Sequence, residues 1–234
     1  MIIVSLTTSP KRIHTLKAVL KRLMSQTVQP DKIVLNLPYV FKRTGEKYDI
    51  PDYLHQPWLY INRCEDIGPA TKILPTRELV KDPDTIIISV DDDIIYRKTM
   101  IASFLKYAHL PYVLSGGVSG SYKQIKIGDD YLHMSQLIEG HAGVCYRKKH
   151  LDKIKLSLGF KDCFTSDDFT ISNQLGKHKI EILKIPRTVE KVLKVGLKKD
   201  DALHLSKNNN ERYQACAAHL KDKNQLFIKH FHVL

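Results

Sequence analysis

Apolar residues along the chain fall into two kinds of pattern. Short runs rich in β-branched residues recur at Ile2 to Leu6, Ile33 to Leu37, Thr85 to Val90, Tyr112 to Ser119, Gly143 to Arg147 and Ile180 to Ile185. The continuous apolar run at Thr85 to Val90 reads as a strand buried on both faces of a parallel sheet, and the other runs read as strands. Between the first two, Ile13, Leu16, Leu20 and Leu23 recur at helical spacing and predict a core-facing helix, which Gln29-Pro30-Asp31 breaks. An opening of strand, helix, strand favours parallel pairing through a crossover. Pro38 ends the second strand, and Leu59 to Asn62 reads as a short third one. Further helices are predicted near 70–80, with Pro69 in the first turn and Pro75 kinking or splitting it, and over 99–108 with Thr99 as cap. Others are expected over 167–175, with Ser166 as cap and Gly176 at the C′ position, and near 209–221. Asp82-Pro83-Asp84 is a turn, and residues 38–57 form a long irregular excursion of a kind that is often functional.

Composition narrows the classes. The chain has 234 residues, 43% of them hydrophobic and 26% charged, which excludes general disorder and fits one α/β domain. The two functional halves are expected to be 1–98 and 99–234. No stretch of 18 apolar residues exists to span a membrane as a helix. Met1 runs directly into the first strand, with no basic leader, so the expected location is cytoplasmic. The formal charge of +12 draws anionic partners: nucleic acid, phosphorylated small molecules, or an anionic membrane touched peripherally. No run of five like charges forms a basic tail. Cys64, Cys145, Cys163 and Cys216 make no CxxC pair, and buried free thiols in a reducing compartment are expected.

The strongest chemical signal is Asp91-Asp92-Asp93, directly after the strand that ends at Val90. Ligands of open α/β sheets bind beyond the carboxyl ends of the strands. Adjacent carboxylates repel one another unless solvated or neutralised by a cation, and hard oxygen ligands suit Mg²⁺ or Mn²⁺. A second acidic pair, Asp167-Asp168, opens a predicted helix, where the macrodipole stabilises carboxylates with or without a function.

These segments resemble the GT-A fold glycosyltransferases. Asp91-Asp92-Asp93 after an apolar strand is similar to their DxD motif. Val4 to Pro10 resembles the first nucleotide-binding strand and loop, Gln26 to Ile33 the link into the second strand, and Gly68 to Lys72 a segment that carries a donor-contacting lysine. The implied fold is a Rossmann-like α/β/α sandwich with a mainly parallel central sheet. The implied activity is metal-dependent transfer of a sugar from a nucleotide-diphosphate donor, UDP-linked by preference. The acceptor would be a hydroxyl on a glycan, glycolipid or protein.

Carried over, Asp93 and Asp91 would hold Mn²⁺ or Mg²⁺, with His204 as third ligand and His141 as a weaker candidate. Thr7, Arg12, Lys72, Asp91 and Asp92 would lie by the donor, and Gly140 and His141 would wall the donor sugar or acceptor. Asp168, with Asp167 beside it, resembles the general base of inverting members. Lys198 and Lys199 could clamp the diphosphate, while His230 and His232 read as terminal bystanders. Two other classes compete. A sugar-nucleotide nucleotidyltransferase would share the sheet and acidic site, but would carry a glycine-rich loop where this chain has Thr7-Thr8-Ser9-Pro10. A basic nucleic-acid-binding module fits the charge but lacks an aromatic recognition motif or a zinc finger.

Overall fold

The computed structural model describes residues 1–117, 121–156, 160–193 and 209–228. Among these, nine strands form one sheet. They are β1 (Ile2–Thr7), β2 (Lys32–Pro38), β3 (Leu59–Cys64), β4 (Ile86–Ser89), β6 (Val113–Gly116), β7 (Ser121–Ile127), β8 (Asp130–Ser135), β9 (Val144–Arg147) and β10 (Ile182–Ile185), in the order β3-β2-β1-β4-β9-β6-β10-β8-β7. Every strand except β8 and β9 points the same way. The mixed α/β architecture with a mainly parallel central sheet is therefore as the apolar runs predict. Strands β5 (Ile94–Tyr96) and β11 (Val189–Val192) pair in a separate antiparallel ribbon.

Alternation along the strands separates two apolar layers. Val4, Leu6, Leu35 and Ile88 face one side with α1 (Lys17–Met24) and α3 (Met100–Leu105). Ile3, Val34, Ile87 and Ile182 face the other with α2 (Leu74–Arg77), α4 (Lys148–Leu151) and α6 (Asp167–Lys177). An eight-residue helix such as α1 is marginal alone. Its buried Leu20 and Leu23 contribute roughly 1.5–3 kcal/mol each, which holds it in place. A third cluster joins α5 (Lys161–Phe164), α6 and α7 (Asn209–Asp222) through Cys163, Phe169, Cys216 and Leu220.

The helix near 70–80 is split, as expected at Pro75, into a 3₁₀ turn at Ala70–Lys72 and α2. Other local expectations are corrected. Thr99 and Ser166 precede helices but make no side-chain cap bond. Gly176 lies inside α6, and Lys179 takes the left-handed backbone three residues later. Here the helix outlasts its stop signal because Gly176 packs under Phe227, where a Cβ would lie 3.2 Å from the Phe227 carbonyl.

The hairpin β7–β8 was not anticipated, although its alternating residues and Gly128-Asp129 turn are visible in the chain. The expectation of free thiols fails for two of the four cysteines. Cys163 and Cys216 form a disulfide between α5 and α7, with Cα atoms 4.9 Å apart, while Cys64 and Cys145 are free.

Candidate functional site

Strands β1 to β3 build outward in one direction, and β4 returns on the far side of β1. The carboxyl ends of β1 and β4 thus flank the topological switch point, where loops diverge and leave a crevice. A cleft of about 410 Å³ opens there, within the usual range for small-molecule sites. It is lined by the loop after β1, the acidic triplet after β4, Lys72, His141, and Asp167 and Asp168 at the start of α6. The two acidic motifs, 75 residues apart in sequence, share one wall system.

Arg12 holds the triplet together. Its guanidinium reaches Asp92 at 2.6 Å and Asp93 at 2.9 Å. The Thr8 hydroxyl donates to Asp92 at 2.5 Å. Asp92 is buried, and burial pushes its carboxyl up to about 6 against the pull of Arg12 and Thr8. Asp91 and Asp93 keep 28% and 25% of their side chains exposed toward the cleft. Thr7, expected by the nucleotide, lines the cleft and donates its hydroxyl to the Asn36 carbonyl at 2.8 Å.

Lys72 bridges the two acidic sets, reaching Asp91 at 2.9 Å and Asp167 at 3.2 Å. Burial alone would lower its pKa, but Asp167, Asp91 and Asp168 together hold it well above the ordinary lysine value. Asp91 is correspondingly low: burial raises it, and the charge and hydrogen bond of Lys72 outweigh that. Lys72 is placed from below by a buried polar cluster that sequence reading missed. Ser5 donates to the Lys72 carbonyl at 2.6 Å, and Asn36 donates to Ser5 and Thr76. Polar side chains on a buried parallel strand, as Ser5 and Asn36 are, were the available signal.

Asp168 sits behind this bridge. The Gly140 amide donates to its Oδ2 at 2.9 Å, and its buried Oδ1 has no hydrogen-bond partner. Burial and the neighbouring Asp167 charge raise its carboxyl to about 7, against Lys72 and the Gly140 amide. A Cβ at Gly140 would lie 2.5 Å from Lys72 Nζ and against Asp168 Oδ1, so any larger residue would have to displace both side chains. Tyr96 ties the halves: its hydroxyl oxygen accepts the Asp91 amide at 2.9 Å, and its hydrogen goes to the His141 carbonyl at 3.1 Å.

Six aspartates (Asp66, Asp91, Asp92, Asp93, Asp167, Asp168) and four strong cations (Arg12, Arg43, Lys72, Arg212) line the cleft. Carboxylates outnumber the strong cations there, and the donor atoms are hard oxygens that suit Mg²⁺ or Mn²⁺. Asp91 and Asp93 are the partly exposed carboxylates of the triplet. Among the described residues no group of three His, Cys, Asp or Glu is arranged to hold a metal unaided. His204, Lys198, Lys199, His230 and His232 lie outside the described residues.

This geometry defines the class: a GT-A-like α/β fold with its acidic cleft at the switch point of the sheet. No family model matches the chain, and no curated protein matches it in sequence. Solved structures do. The chain is similar to residues 1–349 of S. aureus TarS at 13% identity and a TM-score of 0.52, covering 94% of this chain and 65% of that one. The chain spans 39% of the longer TarS structure. It is also similar to a 4-diphosphocytidyl-2C-methyl-D-erythritol synthase from Anaerococcus prevotii (14% identity, TM-score 0.50) and to an inositol-1-phosphate CTP transferase from T. maritima (12%, 0.50). It covers 91% of each of these, over 85% and 84% of its own length respectively. These likenesses establish the fold. Among the described residues no helix is long and apolar enough to cross a membrane.

Proposed function

We propose that the protein is a glycosyltransferase that moves a sugar from a nucleotide-diphosphate donor, UDP-linked by preference, to an acceptor hydroxyl with inversion. The observation that carries this reading is Asp168: a carboxylate raised to about 7, with one buried oxygen lacking a partner, in the same cleft as Asp91 and Asp93. A general base works best with a pKa near the operating pH.

In this reading the loop after β1 and the triplet bind the donor, with Asp91 and Asp93 as the residues that would hold Mn²⁺ or Mg²⁺. When bound, such a cation offsets charge on the departing diphosphate. Lys72, charged and pinned between Asp91 and Asp167, orients both acidic sets. Asp168 accepts the proton of the acceptor hydroxyl as that oxygen bonds to the anomeric carbon and the bond from that carbon to the diphosphate breaks. Gly140 and His141 wall the space between base and donor. The acceptor would be carried by a glycan, glycolipid or protein, and the net positive charge would favour peripheral contact with an anionic membrane, tested by liposome flotation at low salt.

A nucleotidyltransferase reading draws support from the two cytidylyl-type neighbours, each covered over 91% of its length. It gives no task to a base such as Asp168, and the loop after β1 lacks glycine. Calorimetric titration with UDP, CDP, GDP and ADP, with and without Mn²⁺, tests the donor site. Metal-dependent binding of UDP that Asp93→Ala loses is expected. Product analysis separates the two classes: free UDP from a UDP-sugar supports glycosyl transfer, and pyrophosphate from CTP with a sugar phosphate refutes it.

A further inference from the structure

The middle of β10 carries a lysine where an apolar residue would be expected. Lys184 is completely buried, with Ser115 and His133 as its cross-strand neighbours. Its ammonium lies 2.7 Å from Glu139 Oε1 and 3.4 Å from Ser115 Oγ. Burial costs several kcal/mol per ion, and well-packed apolar residues of similar volume commonly serve stability as well or better. Stability therefore does not account for this pair, and its place in the chain suggests another task.

Glu139 immediately precedes Gly140, whose amide meets Asp168. The Glu139 amide donates to Ser115 Oγ at 2.9 Å. Gly117, with φ at +84°, leaves room for the Glu139 carboxylate, which would lie 2.9 Å from a Cβ there. The far end of the same turn is held separately: Thr188 donates to the Ala142 carbonyl, and the Gly116 amide to the Gly143 carbonyl at 3.0 Å.

We propose that Lys184 and Glu139 are a positioning pair, which anchors the near end of the 140–142 turn to the sheet so that the Gly140 amide stays aimed at Asp168 Oδ2. This fixes Oδ2 on a backbone donor and leaves Oδ1 as the oxygen without a hydrogen bond, and to that extent the proposal rests on Asp168 as base. Neither residue touches substrate. The charged and titratable groups that face Asp168 are Asp167 on its own helix, Lys72 from the 3₁₀ turn, Asp91 after β4, Tyr146 on β9, Tyr213 on α7 and Lys184 itself. Only the Lys184–Glu139 pair is altered in the test, and the others are common to every variant compared.

The Gly140 amide is its own reporter. In the ¹⁵N-labelled full chain, its proton and nitrogen shifts are followed from pH 5 to 9. The wild type should titrate with a midpoint near 7, the value to which burial and Asp167 raise Asp168. In Lys184→Met/Glu139→Gln, which leaves no unpaired ion, the amide should lose its downfield shift. The Asp168 midpoint should rise by about one pH unit, the worth of one charge-assisted hydrogen bond. Melting temperature should be unchanged or higher. Lys184→Arg, which keeps the charge, should keep most of the wild-type titration. A Gly140 amide that does not titrate in the wild type overturns the proposal. So does a double variant with wild-type shift and midpoint, or one in which Gly140 changes only along with general loss of dispersed amide signals. The readout needs no turnover: should Asp168→Asn retain sugar transfer, the base assignment falls while the amide titration still decides the role of the pair.

Discussion

Replacing Asp168 by Asn should stabilise the protein at neutral and alkaline pH and leave it unchanged in acid. The amide nearly matches the carboxyl in shape and its oxygen can still accept the Gly140 amide, now at 2.9 Å from Oδ2. What it removes is the cost of a buried negative charge beside Asp167. The folded-state value is about 7 against 3.8 for an ordinary Asp. At about 1.4 kcal/mol per unit the full difference is about 4 kcal/mol, and sharing of charge with Asp167 reduces the usable part to roughly 2 kcal/mol.

The sign follows from linkage. Below 3.8 the carboxyl is neutral in both folded and unfolded chains, so the wild type loses nothing to Asn. Between 3.8 and 7 the unfolded chain ionises while the folded one retains its proton, and wild-type stability falls progressively. Above 7 the cost is complete. For a chain of this size the variant should melt roughly 4–8 °C higher at pH 8, with no difference at pH 3.5. Differential scanning calorimetry of both proteins from pH 3.5 to 8.5 measures this. A difference independent of pH, or a variant less stable at pH 8, would refute the placement of Asp168 as a buried, proton-retaining group. The same substitution should abolish sugar transfer, so stability and activity should move in opposite directions.

The other predictions concern the scaffold of the cleft. Lys72→Met should destabilise by up to about 3 kcal/mol, because it leaves the buried Asp167 and the partly exposed Asp91 without their shared cation, and denaturant unfolding measures it. An unaltered midpoint would show that the bridge is not formed in solution. Gly140→Ala should eliminate transfer and lower the melting temperature, since the new methyl collides with Lys72 and Asp168; retained activity would place the turn elsewhere. Unreduced, denatured protein should titrate two thiols and not four. Cys163→Ser/Cys216→Ser should lose about 4 kcal/mol on the chain-entropy estimate for a 53-residue separation. Four thiols in the unreduced chain would contradict the disulfide.

Legibility differed sharply between parts of the molecule. The strands β1, β2, β4, β9 and β10 were readable because strands buried on both faces are mostly apolar and β-branched, with single polar residues such as Ser5, Asn36 and Lys184 not enough to mask them. The hairpin β7–β8 escaped because β7 is an edge strand exposed along most of its length, so Tyr122, Lys123 and Lys126 dilute its apolar signal. Gly176 misled because its small size serves packing under Phe227 and not a helix stop. The disulfide was invisible because its partners lie 53 residues apart on separate helices.

The site divides in the same way. The residue types were plain in the chain: an acidic triplet after a buried strand, an acidic pair at a helix start, and a lysine after Gly68-Pro69. Local pattern determined those, along with the α/β class, because strand and helix periodicities and the carboxyl ends of strands are properties of neighbouring residues. Only the tertiary structure decided that Arg12 clamps Asp92 and Asp93, that Lys72 joins Asp91 to Asp167, and that Glu139 answers a lysine buried in β10. Those partners are 19 to 95 residues apart, and their charges are set by burial and by one another, quantities that exist only once the sheet has closed around them.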